Sequence, residues 1–171
     1  MTRRIWLIGM MGAGKTTAAA GLAARLGVEW VDTDDLVTGH AGISVAEIFE
    51  SRGEAVFRHL ESAAITAVSE SETPIVATGG GAVLDEQNRE VFKRSGTVVW
   101  LRAPATILRA RIGEAATRPL LGSDSIATDL DALLAARTEV YRCAADAIIE
   151  SADYDRRAIV DQLEVLWNAL Q

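Results

Sequence analysis

Cysteine and lysine are nearly missing from this 171-residue chain. Cys143 is the only thiol, which excludes an internal disulfide and a cysteine-rich metal site. A lone thiol fits a reducing, cytoplasmic compartment. Histidine occurs twice, as His40 and His59. With no third histidine and no suitable pairing, no zinc site is expected, and both read as structural or exposed. Basic charge is also short: the net charge is −7 and the isoelectric point about 4.9. That excludes a nucleic-acid scaffold, whose affinity comes from basic surface, while leaving room for a local basic pocket. Long hydrophobic runs are lacking. The apolar stretch near the N-terminus is too short for a signal peptide or a membrane span, so no membrane partner is expected. Repeats and low-complexity segments are missing too. The remainder is 49% hydrophobic, too apolar for disorder, and its length suits one domain with a sizeable core.

Only two lysines, Lys15 and Lys93, stand against fifteen arginines. Lys15 falls in Gly9-Met-Met-Gly-Ala-Gly-Lys-Thr16, the spacing G-x-x-x-x-G-K-T of a phosphate-binding loop. Arg4 to Ile8 before it reads as a strand and Thr17 to Leu26 after it as a helix, the context the motif requires. Glycines let backbone N–H groups turn toward an anion, and the helix N-terminus adds its dipole. Lys15 can reach the β/γ-phosphates, and the Thr16 hydroxyl can ligate Mg²⁺.

Apolar runs alternate with helical patterns, which predicts a parallel sheet flanked by helices. Strands are expected at 4–8, about 29–32, 75–78, 97–101 and 147–150. The first helix ends near Gly27, a C′ glycine. Ser44 and Glu47 have capping-box spacing, so a short helix starts at Val45. A longer one runs from about Glu54 to Ser69 with Phe57, Leu60, Ala64 and Val68 as its apolar stripe. Further helices are expected over 85–94, from Pro104 to about Ile112, after an Asp129 cap, and after an Asp155 cap. Gly113 to Thr128 has little periodicity and reads as a mobile loop.

Ligands of open α/β sheets bind at the carboxyl ends of strands. Here those ends carry the phosphate loop, then Asp32 and Asp34, then Thr78 and Gly79-Gly80-Gly81. Asp32 and Asp34 are two apart and point the same way in an extended chain. One can serve Mg²⁺ and the other can receive a proton from an acceptor hydroxyl. Asp35 looks like a helix-start residue. The glycine triplet needs a backbone reason, either positive φ in a turn or close approach of a ligand. Arg58 lies off the apolar stripe of its helix, with Glu61 three residues on to orient it. Two guanidiniums from different segments, such as Arg58 and Arg137, can hold a carboxylate in bidentate fashion. Arg118, in the loop, can stabilise a transferring phosphoryl. Arg52, Arg89, Arg94, Arg102, Arg142, Arg156 and Arg157 read as solvated surface residues.

In this order and spacing, Gly9 to Thr16, Asp32-Thr33-Asp34, Phe57-Arg58, Glu61, Gly79-Gly80-Gly81, Arg118-Pro119-Leu120 and Arg137 with Tyr141 resemble the shikimate kinase family across essentially the whole chain. The resemblance implies an α/β three-layer sandwich of the P-loop, nucleoside-monophosphate-kinase type. Its five-stranded parallel sheet would have the order 2-3-1-4-5, in a single kinase domain over 1–171. Within it, an acceptor-binding segment would span about 33–61 and a mobile lid about 113–128. The implied reaction moves the ATP γ-phosphoryl to the 3-hydroxyl of shikimate in aromatic amino acid (chorismate) biosynthesis, with Mg²⁺. Implied ATP ligands are Gly12, Ala13, Gly14, Lys15, Thr16, Thr17 and Arg118. Arg111 stands where the family often stacks an arginine on adenine, with Arg109 close by. Ser151-Ala152-Asp153 resembles the segment that flanks the adenine. Thr16 and Asp32 would serve Mg²⁺. Asp34, Arg58, Gly79, Gly80, Gly81 and Arg137 would hold shikimate, and Lys15, Asp34 and Arg118 would be catalytic. A cytoplasmic monomer is the family expectation. The rivals are a gluconate-kinase-like enzyme of the same fold and a nucleotide-binding regulatory module without catalysis.

Overall fold

The structure, a computed structural model, describes residues 3–115, 126–152 and 156–170. Five strands, β1 (Ile5–Ile8), β2 (Trp30–Asp32), β3 (Ile75–Ala77), β4 (Thr97–Arg102) and β5 (Ala147–Glu150), make one sheet in the order β2-β3-β1-β4-β5. Every pairing is parallel, with Ile5 opposite Ile75 on one side and Thr97 on the other. A parallel strand covered on both faces needs a continuous apolar run, and all four residues of β1 are buried. The helices are α1 (Lys15–Leu26), α2 (Thr33–Ala41), α3 (Val45–Arg52), α4 (Glu54–Glu70), α5 (Glu86–Ser95), α6 (Ala105–Ala115), α7 (Ile126–Ala144) and α8 (Arg156–Ala169). α1 packs on α8, and α4 packs on α5.

Two cores result. The larger surrounds β1 and β4 and includes Trp6, Leu22, Ile65, Phe92, Trp100 and Tyr141. The smaller, Val37, Ile48 and Phe57, lies under α2, α3 and the start of α4. α4 serves both: Phe57 enters the small core, Ile65 and Val68 the large one. At the opposite end of the sheet from the phosphate loop, Arg4 is buried. Its guanidinium donates to the carbonyls of Thr73 (2.8 Å), Ser69 (2.9 Å) and Ser71 (2.6 Å). Those carbonyls close the end of α4, where a helix has no backbone donors left.

Four expectations change. Asp32 is not one of an extended pair. It is the N-cap of α2, with Asp34 and Asp35 in the first turn, because its carboxylate accepts from the Asp34 N–H at 3.0 Å. The helix start expected at Asp35 lies earlier, at Thr33, with Asp32 rather than Asp35 as the cap. A 3-10 turn, Ala82–Leu84, follows the glycine triplet. Finally, α6 runs on to Ala115 and α7 begins at Ile126, three residues before Asp129, so Asp129 does not start that helix. Neither extension contains a proline, and alanines at 115 and 127 favour helix. Residues 116–125, the centre of the expected lid, lie outside the described residues, as do Asp153 and Asp155. The Ser44–Glu47 capping box forms as expected, with Glu47 Oε2 accepting from the Ser44 N–H at 2.8 Å.

Candidate active site

The phosphate loop connects β1 to α1. Gly12 and Gly14 hold φ of 82° and 92°, a region that side chains disfavour. Gly14 is the N-cap of α1 and brings no side-chain oxygen to the first turn, so the turn's N–H groups are left for an anion. Ala13 is buried, and its N–H donates to the Met10 carbonyl at 3.1 Å. Lys15 is buried in the loop, with Nζ 2.8 Å from the Gly9 carbonyl and 3.0 Å from that of Met10. Burial pushes its pKa down to about 8, against the opposing pull of Asp32 and Asp34.

The end of β2 supplies the acids. Asp32 uses one oxygen to cap α2 and accepts the Thr16 hydroxyl on the other at 2.7 Å. Thr16 and Asp32 therefore form one oxygen pair beside the loop, the donor type that suits Mg²⁺. Among the described residues no group of three or more His, Cys, Asp or Glu could hold a metal. Thr17 follows on the exposed side of α1. Asp34 is turned inward, and its buried Oδ1 has no hydrogen-bond partner. Its pKa is pushed up to about 6 by burial first, then by the charges of Asp32 and Glu61, with Lys15 and Arg58 opposing. A carboxylate of raised proton affinity with an orphaned oxygen is poised to accept a proton or a hydroxyl hydrogen bond.

A cavity of about 680 Å³ opens beside Asp34. Arg58, Glu61, Gly79, Gly80, Gly81 and Arg137 line it, with Met10, Met11, Phe49, Phe57 and Leu133 as apolar wall. Arg58 Nη1 donates to Glu61 Oε2 at 2.7 Å, and its other nitrogens reach Glu54 Oε1 at 3.3 Å. Glu61 is fully buried, and burial raises its pKa against the pull of the Arg58 bond and charge. It therefore holds the guanidinium at the cavity wall. None of the three glycines lies in the left-handed region, so the triplet is not there for its turn. A Cβ at Gly79 would lie 2.7 Å from Asp34 Oδ1 and collide with Glu61 Oε1, and one at Gly81 would collide with the Arg58 guanidinium. The glycines make room for the site's own charged groups. Gly79 is further fixed by its N–H donating to the Thr33 hydroxyl at 3.1 Å.

Arg137 enters from α7, with Nη1 3.9 Å from Met10 Sδ. Arg111 lies against the phosphate loop and donates to the Gly12 carbonyl at 2.7 Å and the Ser151 carbonyl at 2.5 Å. Arg109 instead pairs with Asp131 at 2.6 Å, so of the two it is Arg111 that touches the phosphate loop. Arg118, Pro119 and Leu120 lie outside the described residues. Arg89, expected on the surface, donates to the carbonyls of Val83 and Leu84 at 2.8 Å and braces the segment after the glycines. The apolar wall was not found from sequence. Met10 and Met11 are free positions of the motif, and Phe49 carries no local signal.

The shikimate kinase family model matches residues 11–166. A shikimate kinase of Symbiobacterium thermophilum is 43% identical over 169 residues, covering 98% of this chain and 95% of the relative. That of Halorhodospira halophila is 39% identical over 160 residues, 94% and 90% of the two chains. The structure of shikimate kinase from Acinetobacter baumannii in complex with shikimate superposes with a TM-score of 0.90 at 34% identity, covering 100% of this chain and 96% of that one. The Aquifex aeolicus shikimate kinase gives 0.80 at 31%, with 98% of each chain covered. By family, sequence relatives and fold, the chain belongs to the shikimate kinases.

Proposed function

We propose that this chain transfers the γ-phosphoryl of ATP to the 3-hydroxyl of shikimate, giving shikimate 3-phosphate and ADP, through the residues gathered around the Asp34 cavity. The observation that carries this reading is the cavity's two-ended chemistry. Arg58 and Arg137, from separate helices, line it with Asp34, and the phosphate loop borders it through Met10 and Met11. A small cyclic acid would give its carboxylate to the guanidiniums and present a hydroxyl to Asp34.

On the nucleotide side, the loop residues Gly12, Ala13, Gly14, Lys15, Thr16 and Thr17 hold the phosphates, Lys15 swings from its carbonyls to the β/γ-oxygens, and Arg111 lies along the adenosine. Thr16 and Asp32 would hold Mg²⁺, which would supply positive charge to offset that of the phosphates. Arg118 is assigned to the transferring phosphoryl on the strength of its Arg-Pro-Leu match. Asp34 orients the 3-hydroxyl and takes its proton, and Gly79, Gly80 and Gly81 form the wall against which shikimate lies. A loose transition state asks mainly for positioning and charge, and a site that excludes water limits wasted ATP hydrolysis. The domain reading is one kinase domain with an acceptor-binding segment of about 33–61 and a lid of about 113–128. No described helix is long and apolar enough to cross a membrane, and a cytoplasmic monomer is the accompanying proposal.

The test is ADP release with Mg²⁺ and ATP, with shikimate, with gluconate, and with neither. Shikimate-dependent turnover that gluconate cannot elicit supports the reading. Gluconate-dependent turnover points to the gluconate-kinase-like rival, and ATP binding without turnover points to a regulatory module. Arg58→Lys is expected to raise the shikimate KM about tenfold or more with ATP KM unchanged, because a point charge loses the fork that a carboxylate fits. Unchanged shikimate KM would remove Arg58 from the clamp.

A further inference from the structure

We propose that Tyr141 is a positioning residue for the acceptor: its hydroxyl joins the Arg137 guanidinium to the Gly79–Gly81 turn and fixes the spacing between them. The proposal rests on the reading of Arg137 as a shikimate ligand. Tyr141 lies one helical turn after Arg137 on α7, on the same face of the helix. The phenol is fully buried and its ring stacks on Trp100 of β4, with centroids 5.4 Å apart and planes at 16°. The ring is thus fixed to the sheet rather than to the helix surface. Its hydroxyl donates to the Gly80 carbonyl. Arg137, four residues earlier on the same face of α7, acts on the same phenol through its charge and side-chain hydrogen bonding.

A phenol has one proton to give and lone pairs to receive. Giving the proton to Gly80 leaves the lone pairs for the guanidinium, so one oxygen links two walls of the cavity that come from different parts of the chain. Gly80 also lies close against the phosphate loop: a Cβ there would lie 3.3 Å from the Met11 nitrogen. The turn is held between Tyr141 and the loop that takes the nucleotide. Among the described residues Arg137 pairs with no carboxylate, in contrast to Arg58, which Glu54 and Glu61 hold. The tyrosine does for Arg137 what the glutamates do for Arg58, with a neutral group that does not compete for the guanidinium's charge.

Tyr141→Phe keeps the ring on Trp100 and removes only the bridge. The expected result is a rise in shikimate KM of about tenfold, the scale of one charge-assisted hydrogen bond, with ATP KM changed less than twofold. If the hydroxyl served stability alone, the melting temperature and the active fraction would fall while shikimate KM stayed put, and that result overturns the proposal. Arg137→Lys separates the two levels. If it leaves shikimate KM unchanged, the assignment of Arg137 fails, and this proposal with it. If it raises KM and Tyr141→Phe does not, the tyrosine proposal alone fails. The double variant decides the rest: a KM effect smaller than the product of the single effects shows that the hydroxyl acts through Arg137. A full product shows independent action and overturns the link.

Discussion

Asp34→Asn is expected to lower kcat by about 10²–10⁴-fold, the usual contribution of a positioned acid–base group, while ATP still binds. Asparagine fills the same space but cannot take the hydroxyl proton. The same change is expected to stabilise the ligand-free protein at neutral pH. The folded carboxyl titrates at about 6 rather than 3.8. Between those values the folded chain keeps a proton that the unfolded chain has released, so stability falls as pH rises through that window. Above it the penalty is complete, about 3 kcal/mol at roughly 1.4 kcal/mol per pH unit. Thermal unfolding should place the variant above the parent at pH 8, with the gap closing below pH 4. The parent's kcat/KM should show an acid limb near pH 6. Turnover of Asp34→Asn close to that of the parent would end the assignment of Asp34.

The second large effect belongs to Lys15→Met, expected to reduce kcat about 10²–10³-fold, the cost of removing one preorganised charge from a transition state. The lysine also carries a proton signature. Burial holds its pKa at about 8, below the ordinary 10.5, so above pH 8 the empty loop loses the charge that phosphates would restore. ATP binding at pH 9 is then expected to take up a proton. Calorimetry in buffers of different ionisation enthalpy reads this directly, and Lys15→Met should abolish the uptake. The stability sign is opposite to that of Asp34: between about 8 and 10.5 the unfolded chain holds the extra proton, so stability rises with pH there. Proton uptake that persists in Lys15→Met would assign it to another group.

The strands and most helices were legible because their signals are local. Gly27 and the Ser44–Glu47 box mark helix ends within a few residues, and β1 is apolar without interruption because both its faces are covered. Asp32 misled because one residue can end a strand and cap a helix at once, and alternation along an extended chain gives no warning of the switch. The orientation of Arg58 by Glu61 was readable from their spacing, and the structure has that contact. The reason for three glycines was not readable. It lies in Asp34, Glu61 and Arg58 arriving from α2 and α4, a crowding that only the tertiary fold creates. Tyr141 was legible only as part of a family pattern, since its partners Trp100 and Gly80 are far away in sequence.

The small core of Val37, Ile48 and Phe57 is separate from the one around β1. α2 and α3 therefore owe their burial to three large side chains, while α4 is anchored twice. Amide protons in α2 and α3 should exchange through a partial opening that leaves the sheet intact, at a lower free energy than global unfolding. An acceptor held by Asp34 on one side and Arg137 on the other would bridge that opening. Part of its binding energy would appear as slowed exchange in α2 and α3 rather than as affinity.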